Sequence, residues 1–342
     1  MRVGEPIDDD VALVATTSGT TGAPKGALLT AAALRASASG THDRLGGPGR
    51  WLLVLPPHHI AGIQVLVRSV LAGSVPVELD VSSGFDVAAL PRAVRRLGSG
   101  RRYASLVAAQ LAKALAEPAA AAALAELDAV LLGGGAAPRP VLDAAAAVGI
   151  PVVCTYGMSE TAGGCVYDGV PLPGVRVRVA ADGRIVIGGA TLAKGYRNPV
   201  DPDPFAEPGW FRTEDLGALD LSSQGDAGVL TVLGRADDAI NTGGLTVLPQ
   251  LVEDVLRTHP AVSDCAVFGL ADDRLGHRVV AAVVVSHGCQ APTLETLRAH
   301  VSCTLDLTAA PRELHVVEAL PRRGIGKVDR AALVRRFTAG DQ

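Results

Sequence analysis

Short apolar runs alternate with longer stretches rich in alanine and leucine through the first half of the chain. The runs have strand length and lie at residues 11–16, 51–55, 75–79, 103–107, 129–132 and 152–154. The longer stretches have helical length and lie at residues 60–71, 87–97, 108–127 and 141–148. Thr30 is a suitable N-cap for one more helix. Alternation at this spacing predicts a parallel sheet covered by helices on both faces.

The pattern changes after Pro171. Residues 175–179 and 184–188 alternate apolar and polar positions around Ala-Ala-Asp-Gly, which predicts a hairpin in a small β-subdomain. The region beyond Gly234 predicts three helices and two strands, at residues 250–257, 294–303 and 330–337 and at residues 262–268 and 278–285. We therefore expect a large N-terminal domain of residues 1–234 and a compact C-terminal α+β domain of residues 235–342.

Composition and charge narrow the functional class. With 48% hydrophobic and 19% charged residues among 342, the chain is expected to fold into packed domains. A net charge of −4 provides no electrostatic footprint for nucleic acid. The apolar runs are far shorter than the ~20 residues of a membrane span, and the first residues lack a secretory pattern, so we expect a cytoplasmic protein. Five scattered cysteines without a CxxC pair predict reduced thiols and no zinc site.

A segment rich in glycine and threonine follows the first predicted strand. Residues 16–26 read TTSGTTGAPKG, and small hydroxyl side chains, glycines and one lysine suit a loop around a polyphosphate. The spacing matches neither a Walker A loop nor GxGxxG. A flexible linker is disfavoured because strand-like and helix-like segments flank the loop closely. The residues predicted to contact phosphate are Thr17, Ser18, Gly19, Thr20, Thr21, Gly22 and Lys25.

Two further segments follow strands of the predicted sheet. Residues 132–138, LGGGAAP, would let the backbone approach a flat ligand, although a tight turn without a ligand explains them equally well. Residues 155–161, TYGMSET, offer a ring to stack on a base, the Glu160 carboxylate for Mg²⁺ and the Thr161 hydroxyl for a phosphate. The alternative for this segment is an ordinary loop with a helix cap at Ser159.

Three more polar groups, taken alone, are typical of a solvated surface. Asp215 in GWFRTEDLG has a carboxylate that suits a ribose diol. Lys327 lies on a glycine-rich stretch, LPRRGIGKVDR. His59 in PPHHIAG could bond a substrate carboxylate.

Together these segments, in this order, resemble the adenylate-forming superfamily of acyl- and aryl-CoA ligases, peptide-synthetase adenylation domains and luciferases. The resemblance implies an α/β adenylate-forming fold with a large N-terminal α/β domain, which includes the small β-subdomain, and a small mobile C-terminal α+β domain. Members typically carry a further N-terminal subdomain before the phosphate loop, so we expect the N-terminal domain to be truncated at its start.

The resemblance also assigns roles to residues. It places Gly135, Ala136, Tyr156 and Gly157 at the adenine, Glu160 at magnesium, Asp215 and Arg235 at the ribose or phosphate, and Lys327 and Thr161 at the reacting groups. It places the hinge between domains at Asp237, the loop for the coenzyme A step at Gly243 and Gly244, and the acyl pocket at His59, Gly163 and Gly164. Glu214 and Arg323 depart from the usual glycine and threonine of the superfamily.

The runs SETAGGCVYDG and INTGGLTVLPQLVE most resemble the short actinobacterial o-succinylbenzoate–CoA ligases of menaquinone biosynthesis. This implies ATP, Mg²⁺ and coenzyme A as reactants and cofactor, with an acyl-adenylate as the intermediate. The alternatives are another acyl- or aryl-CoA ligase, a stand-alone adenylation domain, or a catalytically inactive nucleotide-binding homologue. A homodimer is one way to compensate for the expected truncation.

Overall fold

The computed structural model describes residues 4–16, 25–222, 228–323 and 327–338. The chain forms two compact units. Unit 1 comprises Met1–Ala137, Val141–Thr213 and Ala218–Thr231, and unit 2 comprises Pro138–Pro140, Glu214–Gly217 and Val232–Gln342. The boundary expected between residues 234 and 235 stays a prediction.

Unit 1 begins with an antiparallel hairpin that flanks the glycine- and threonine-rich segment. Strand β1 (Val11–Ala15) pairs with β2 (Ala27–Thr30), and Ala15 lies opposite Ala27. Residues 16–26 therefore start and end at neighbouring points. The prediction that this first strand joins the parallel sheet is wrong, because the strand pairs with β2, a short run before the helix to which the sequence pattern assigned no element. That helix, α1 (Ala31–Arg44), begins as predicted, with the Thr30 hydroxyl accepting from the Ala33 N–H at 3.1 Å.

The main sheet of unit 1 has seven strands among the described residues: β3 Arg50–Leu53, β4 Val77–Glu78, β5 Arg102–Val107, β6 Ala129–Gly133, β7 Val152–Met158, β8 Gly163–Tyr167 and β9 Val170–Pro171. Their order in the sheet is β4-β3-β5-β6-β7-β8-β9. Neighbours from β4 to β7 are parallel, which confirms the predicted sheet, whereas β8 and β9 add an antiparallel edge.

Helices cover both faces of this sheet, as predicted. Their bounds are α2 Ile60–Leu71, α3 Leu90–Arg96, α4 Ala108–Leu115, α5 Pro118–Ala125 and α6 Arg139–Ala147. Side chains of β3 alternate between two cores: Leu52 packs with the core of α3 to α6, and Trp51 packs with the core that includes Val65 of α2. The helices expected over residues 108–127 are α4 and α5, with Pro118 at the start of α5.

The predicted hairpin after Pro171 is present. Strand β10 (Val175–Val179) pairs antiparallel with β11 (Arg184–Gly189) in a four-stranded sheet that continues through β12 (Trp210–Asp220) to β13 (Val229–Arg235).

Among the described residues, unit 2 contains a five-stranded mixed sheet and three helices. The strands are β14 Ile240–Thr242, β15 Leu245–Val247, β16 Val262–Asp272, β17 Gly276–Val285 and β18 Glu313–Val316, followed by the pair β19 Arg322–Arg323 and β20 Lys327–Val328. The helices are α7 Pro249–Leu256, α8 Leu294–Ser302 and α9 Arg330–Thr338. The long hairpin of β16 and β17 supplies side chains to the cores on both sides of the sheet, which confirms the predicted α+β arrangement.

Candidate active site

Glu160 lies just beyond β7, in a single 3-10 turn over Ser159–Thr161. Strand β7 brings it to the carboxyl edge of the parallel strands, which is where ligands bind in open α/β sheets. Its side chain is buried, and the Tyr196 hydroxyl donates to its Oε1 at 2.6 Å. The Ala193 N–H donates to the Glu160 backbone carbonyl at 2.8 Å. These two hydrogen bonds hold the carboxylate and the backbone carbonyl of Glu160 in a defined orientation.

Lys25 contacts the same tyrosine that donates a hydrogen bond to Glu160, namely Tyr196. Its Nζ lies 5.4 Å from the centre of the Tyr196 ring, within the range of a cation–π contact. Tyr196 also forms an isolated backbone bridge with Ala27 of β2, which holds the ring beside the end of the glycine- and threonine-rich segment. One tyrosine thus uses its face for an ammonium and its hydroxyl for a carboxylate. Sequence reasoning missed Tyr196, and the only signal was an aromatic residue in the run Gly-Tyr-Arg-Asn.

The ends of the predicted phosphate loop lie beside the turn that carries Glu160. The Ser159 hydroxyl donates to the Thr16 carbonyl at 3.3 Å, and the Asn198 N–H donates to the Lys25 carbonyl at 3.0 Å. The other residues predicted to contact phosphate lie outside the described residues: Thr17, Ser18, Gly19, Thr20, Thr21 and Gly22.

Thr161 is fully buried, and its hydroxyl bonds within its own turn. It accepts from the Met158 N–H at 3.0 Å and lies 2.7 Å from the Gly163 carbonyl oxygen, to which it can donate. In this arrangement the hydroxyl stabilises the turn that carries Glu160. Its contact with a phosphate stays a prediction.

The predicted adenine contacts lie at the carboxyl ends of two neighbouring parallel strands, β6 and β7. Gly135 and Ala136 follow β6 and are exposed, with open space beside Gly135. Tyr156 and Gly157 lie within β7, and a Cβ on Gly157 would be 2.1 Å from the Gly163 carbonyl oxygen. The close approach of β7 and β8 therefore requires glycine at 157, independently of any contact with a nucleotide.

His59 is the residue from which α2 begins, and its side chain makes no capping bond. Its ring centre lies 4.4 Å from that of His58. Burial, and then the neighbouring charge of His58, lower the pKa of His59, so the imidazole is neutral at pH 7. A Cβ on Gly163 would be 3.0 Å from Gln64 Cγ and 3.8 Å from Ile60 Cγ1, so the first turns of α2 pack against the glycine pair at 163 and 164.

Arg68, also on α2, is a buried cation that sequence reasoning missed. Its Nη2 donates to the Tyr167 hydroxyl at 3.2 Å, and its guanidinium lies 4.9 Å from the centre of the Trp51 ring. Burial lowers the pKa of Arg68, and Tyr167 opposes this shift; in the part of the chain that the structure describes, no carboxylate pairs with it. A Cβ on Gly164 would be 3.4 Å from the Tyr167 hydroxyl oxygen. The guanidinium therefore lies behind the glycine pair and is suited to a carboxylate ligand.

Within unit 2, Arg235 connects two predicted site residues. Its Nε and Nη2 donate to the two carboxylate oxygens of Asp237 at 2.8 and 2.7 Å, and its Nη1 lies 3.5 Å from Asp215 Oδ1. Burial acts to lower the pKa of Arg235, but the bonds to Asp237 and the charge of Asp215 outweigh it and raise that pKa. The guanidinium of Arg235 therefore contacts both Asp215, the predicted ribose ligand, and Asp237, the predicted hinge residue.

The remaining predicted residues of unit 2 are exposed. Gly243 and Gly244 connect β14 to β15, with φ of +56° and +82°. Two successive positive φ values define a two-residue turn that favours glycine at both positions. Lys327 is exposed on β20, opposite Arg323 of β19.

The residues around Glu160 fit a magnesium ion that is shared with a phosphate ligand. Among residues 4–16, 25–222, 228–323 and 327–338, no group of three His, Cys, Asp or Glu side chains could enclose a metal. Mg²⁺ is usually held by one or two carboxylates together with substrate phosphates, so a single oriented carboxylate is sufficient. Within the described ranges, none of the helices has the length and apolar character needed to cross a membrane.

Comparison with protein families gives two matches along the chain. Residues 2–197 match the AMP-binding enzyme family, and residues 251–327 match the AMP-binding enzyme C-terminal domain.

Several similar proteins and structures are described as 2-succinylbenzoate–CoA ligases or synthetases, and a similar structure from Marinactinospora thermotolerans is described as an amide bond synthetase, with a TM-score of 0.83 and 28% identity over 96% of this chain and 70% of that one. A probable 2-succinylbenzoate–CoA ligase of Mycobacterium tuberculosis is 80% identical over 98% of this chain and 87% of its own length. A 2-succinylbenzoate–CoA ligase of a Geobacillus strain is 34% identical over 95% of this chain and 69% of its own. The Bacillus subtilis o-succinylbenzoate CoA synthetase, solved with its acyl-adenylate intermediate, has a TM-score of 0.79 and 31% identity, covering 94% of this chain and 68% of that one. The same enzyme has also been solved with ATP and magnesium, with a TM-score of 0.78, 31% identity, and coverage of 94% and 69%.

Proposed function

Since the chain belongs to the AMP-binding enzyme family, we propose that it is an AMP-forming ligase that joins 2-succinylbenzoate to coenzyme A. The reaction takes the acid, ATP and coenzyme A to the acyl-CoA, AMP and pyrophosphate, and serves menaquinone biosynthesis. The observation that carries the proposal is the grouping of Lys25, Tyr196 and Glu160 at the carboxyl edge of the sheet. This grouping provides a cation and an oriented carboxylate at the end of a glycine-rich loop, as a nucleotide triphosphate requires.

In the first step, the aliphatic carboxylate of the acid attacks the α-phosphate of ATP and pyrophosphate leaves. Catalysis of phosphoryl and adenylyl transfer is mostly positioning and charge neutralisation. Lys25 and the loop at residues 17–22 would hold the phosphates, and Glu160 would hold magnesium, which neutralises phosphate charge when bound. We propose that Lys327 supplies the ammonium for the transition state and that Gly135, Ala136, Tyr156, Gly157, Asp215 and Arg235 bind the nucleoside.

In the second step, the thiol of coenzyme A attacks the carbonyl of the acyl-adenylate and AMP leaves. We propose that the C-terminal domain rotates about Asp237 between the steps, so that the turn at Gly243 and Gly244 replaces Lys327. A Lys327→Ala variant should then lose adenylation but still form thioester from supplied acyl-adenylate. Equal loss of both steps would reject this role for Lys327.

The substrate is a dicarboxylate, so its second carboxylate needs a partner of its own. His59 is neutral at pH 7 and can offer a hydrogen bond. Arg68 is charged, buried and without a carboxylate partner among the described residues, and Tyr167 connects it to the wall at Gly164. We propose that Arg68 balances the charge of the second carboxylate and that His59, Gly163 and Gly164 line the same pocket.

ATP and coenzyme A are cytoplasmic metabolites, so we assign the enzyme to the cytoplasm, and we further propose that it forms a homodimer. Light scattering tests the dimer directly. A monomeric mass at concentrations that give full activity would dismiss it.

Pyrophosphate release from ATP and magnesium tests the proposed reaction. Turnover should be selective for 2-succinylbenzoate over benzoate and medium-chain fatty acids, and AMP release should depend on coenzyme A. Selective turnover with a different acid would retain the ligase chemistry and reject the substrate. ATP binding without turnover of any acid would instead support an inactive homologue.

A further inference from the structure

Gln64 is a fully buried amide in the second turn of α2. Its Nε2 donates to the Ala162 carbonyl at 2.7 Å and lies 3.3 Å from the Leu34 carbonyl of α1. The side chain therefore joins two helices to the turn between β7 and β8. That turn carries Glu160 at one end and the glycine pair of the proposed acyl pocket at the other.

The turn that Gln64 holds has a strained backbone. Ala162 has φ +52° and ψ +36°, which is the left-handed region that residues with a Cβ disfavour. Ala162 is completely buried, and the next residue, Gly163, also has a positive φ of +97°. A residue persists in such a conformation when surrounding contacts determine it, and such residues cluster at functional sites.

The contacts around the Gln64 amide show that its Nε2 forms hydrogen bonds, whereas its Oε1 forms none among the described residues. Gln64 Cγ would be only 3.0 Å from a Cβ on Gly163, so the side chain is packed directly against the turn. Its Oε1 is buried and has no hydrogen-bond partner among the described residues. Leaving an acceptor unpaired is unfavourable. The orientation of the amide is therefore set by the bond that Nε2 makes to Ala162.

We propose that Gln64 is a positioning residue: by holding the Ala162 carbonyl, it keeps the turn in the conformation that orients the Glu160 carboxylate toward magnesium and ATP. This inference rests on the proposed function, because it assumes that Glu160 is the magnesium ligand. Gln64 itself does not touch the reacting groups. Loss of a residue that orients a metal ligand typically lowers the metal affinity by about 10–100-fold.

The test compares four proteins with the wild type: Gln64→Met, Ala162→Gly, the double variant, and Gln110→Met as a matched control. Methionine keeps the length of the side chain and removes the donor. Glycine at 162 adopts a positive φ without penalty, so the turn no longer needs the bond from Gln64. Gln110 is another buried glutamine of unit 1 that donates to a backbone carbonyl, that of Val54 at 2.8 Å.

The first measurement is the magnesium dependence of ATP binding by calorimetry, which needs no acid. Gln64→Met should raise the half-saturating magnesium concentration by about 10–100-fold, the usual effect of losing a residue that orients a metal ligand. The double variant should return toward the wild type, and Gln110→Met should not shift it. The second measurement is pyrophosphate release with 2-succinylbenzoate, in which the same ranking is expected.

An unchanged magnesium dependence in folded Gln64→Met would overturn the inference, as would an equal shift in Gln110→Met or no recovery in the double variant. If the methionine variant does not fold, Gln64→Leu, which also removes the donor and has an apolar side chain, takes its place. A wild type that binds ATP with magnesium but turns over no acid would reject the proposed reaction. The order of the variants in the magnesium dependence of ATP binding would still decide the role of Gln64.

Discussion

At the scale of single residues, the candidate site depends on groups whose direction is fixed by neighbours. Tyr196 orients Glu160 through its hydroxyl and contacts Lys25 through its ring. A hydrogen bond to a charged group contributes about 1.5–3 kcal/mol when it is buried. The distance of 36 residues between Glu160 and Tyr196 explains why no local pattern revealed the pair.

Replacing Tyr196 by phenylalanine separates these two contacts. Tyr196→Phe keeps the ring beside Lys25 and removes the hydroxyl from Glu160, so the half-saturating magnesium concentration for pyrophosphate release should rise by about tenfold or more. Tyr103→Phe is the control, because the Tyr103 hydroxyl donates to the Leu45 and Gly47 carbonyls instead of to Glu160. Equal magnesium curves for wild type and Tyr196→Phe would show that this bond does not orient a magnesium ligand.

Replacing Arg68 should have opposite effects on substrate binding and on stability. Arg68→Met removes the proposed partner of the second carboxylate, so the KM for 2-succinylbenzoate should rise by about tenfold or more while the KM for ATP stays constant. It also removes a desolvated charge, so the melting temperature should stay equal or increase. Exposed Arg35 on α1 provides the control variant, Arg35→Met. An unchanged KM for the acid would contradict the role given to Arg68.

At the scale of elements, the sequence predicted the strands and helices better than their partners. The parallel order of β3 to β7 followed from alternation, because buried parallel strands are short apolar runs separated by helices. The pairing of β1 with β2, and the antiparallel edge of β8 and β9, could not be predicted in the same way. Both pairings arise because the connecting loop returns the chain antiparallel to the preceding strand, and the pattern of apolar residues does not indicate where a loop turns the chain. The sequence also shows where the glycines are, but it does not reveal which neighbouring atoms require a glycine at a given position.

Gly157 tests how closely β7 and β8 must approach. Gly157→Ala would place a Cβ 2.1 Å from the Gly163 carbonyl oxygen, so the two strands must separate at the turn that carries Glu160. We expect a loss of about 1–3 kcal/mol in the free energy of unfolding, as in other overpacked sites, and loss of pyrophosphate release. Gly135→Ala is the control for stability, since a Cβ there meets no atom within 4 Å. An unchanged melting temperature in Gly157→Ala would contradict this close approach of β7 and β8.

At the scale of the whole molecule, buried His42 and half-buried His59 predict sensitivity to mild acid. Burial, and then the charge of Arg68, lower the pKa of His42; burial and His58 lower that of His59. A lowered pKa in the fold means that the unfolded chain binds more protons below its ordinary value of about 6.5. The stability due to neutral histidine is therefore complete above this value and is lost as the pH falls through the lowered pKa.

Thermal unfolding at pH 7.5, 6.5 and 5.5 measures this effect. The melting temperature should decrease between pH 6.5 and 5.5, and His42→Asn should show a smaller decrease over the same interval because it has one proton-binding group fewer. Parallel pH profiles for the wild type and His42→Asn would show that the buried imidazole does not contribute.

Thioester formation is the decisive test of the proposed ligase activity. Wild-type protein incubated with 2-succinylbenzoate, ATP, magnesium and coenzyme A should yield the acyl-CoA and AMP in equal amounts, as measured by mass spectrometry and nucleotide chromatography. Omission of coenzyme A should leave only the acyl-adenylate and pyrophosphate, and Glu160→Gln should give little of any product. A wild type that binds ATP and magnesium yet forms no thioester from this acid would reject the proposed ligase function.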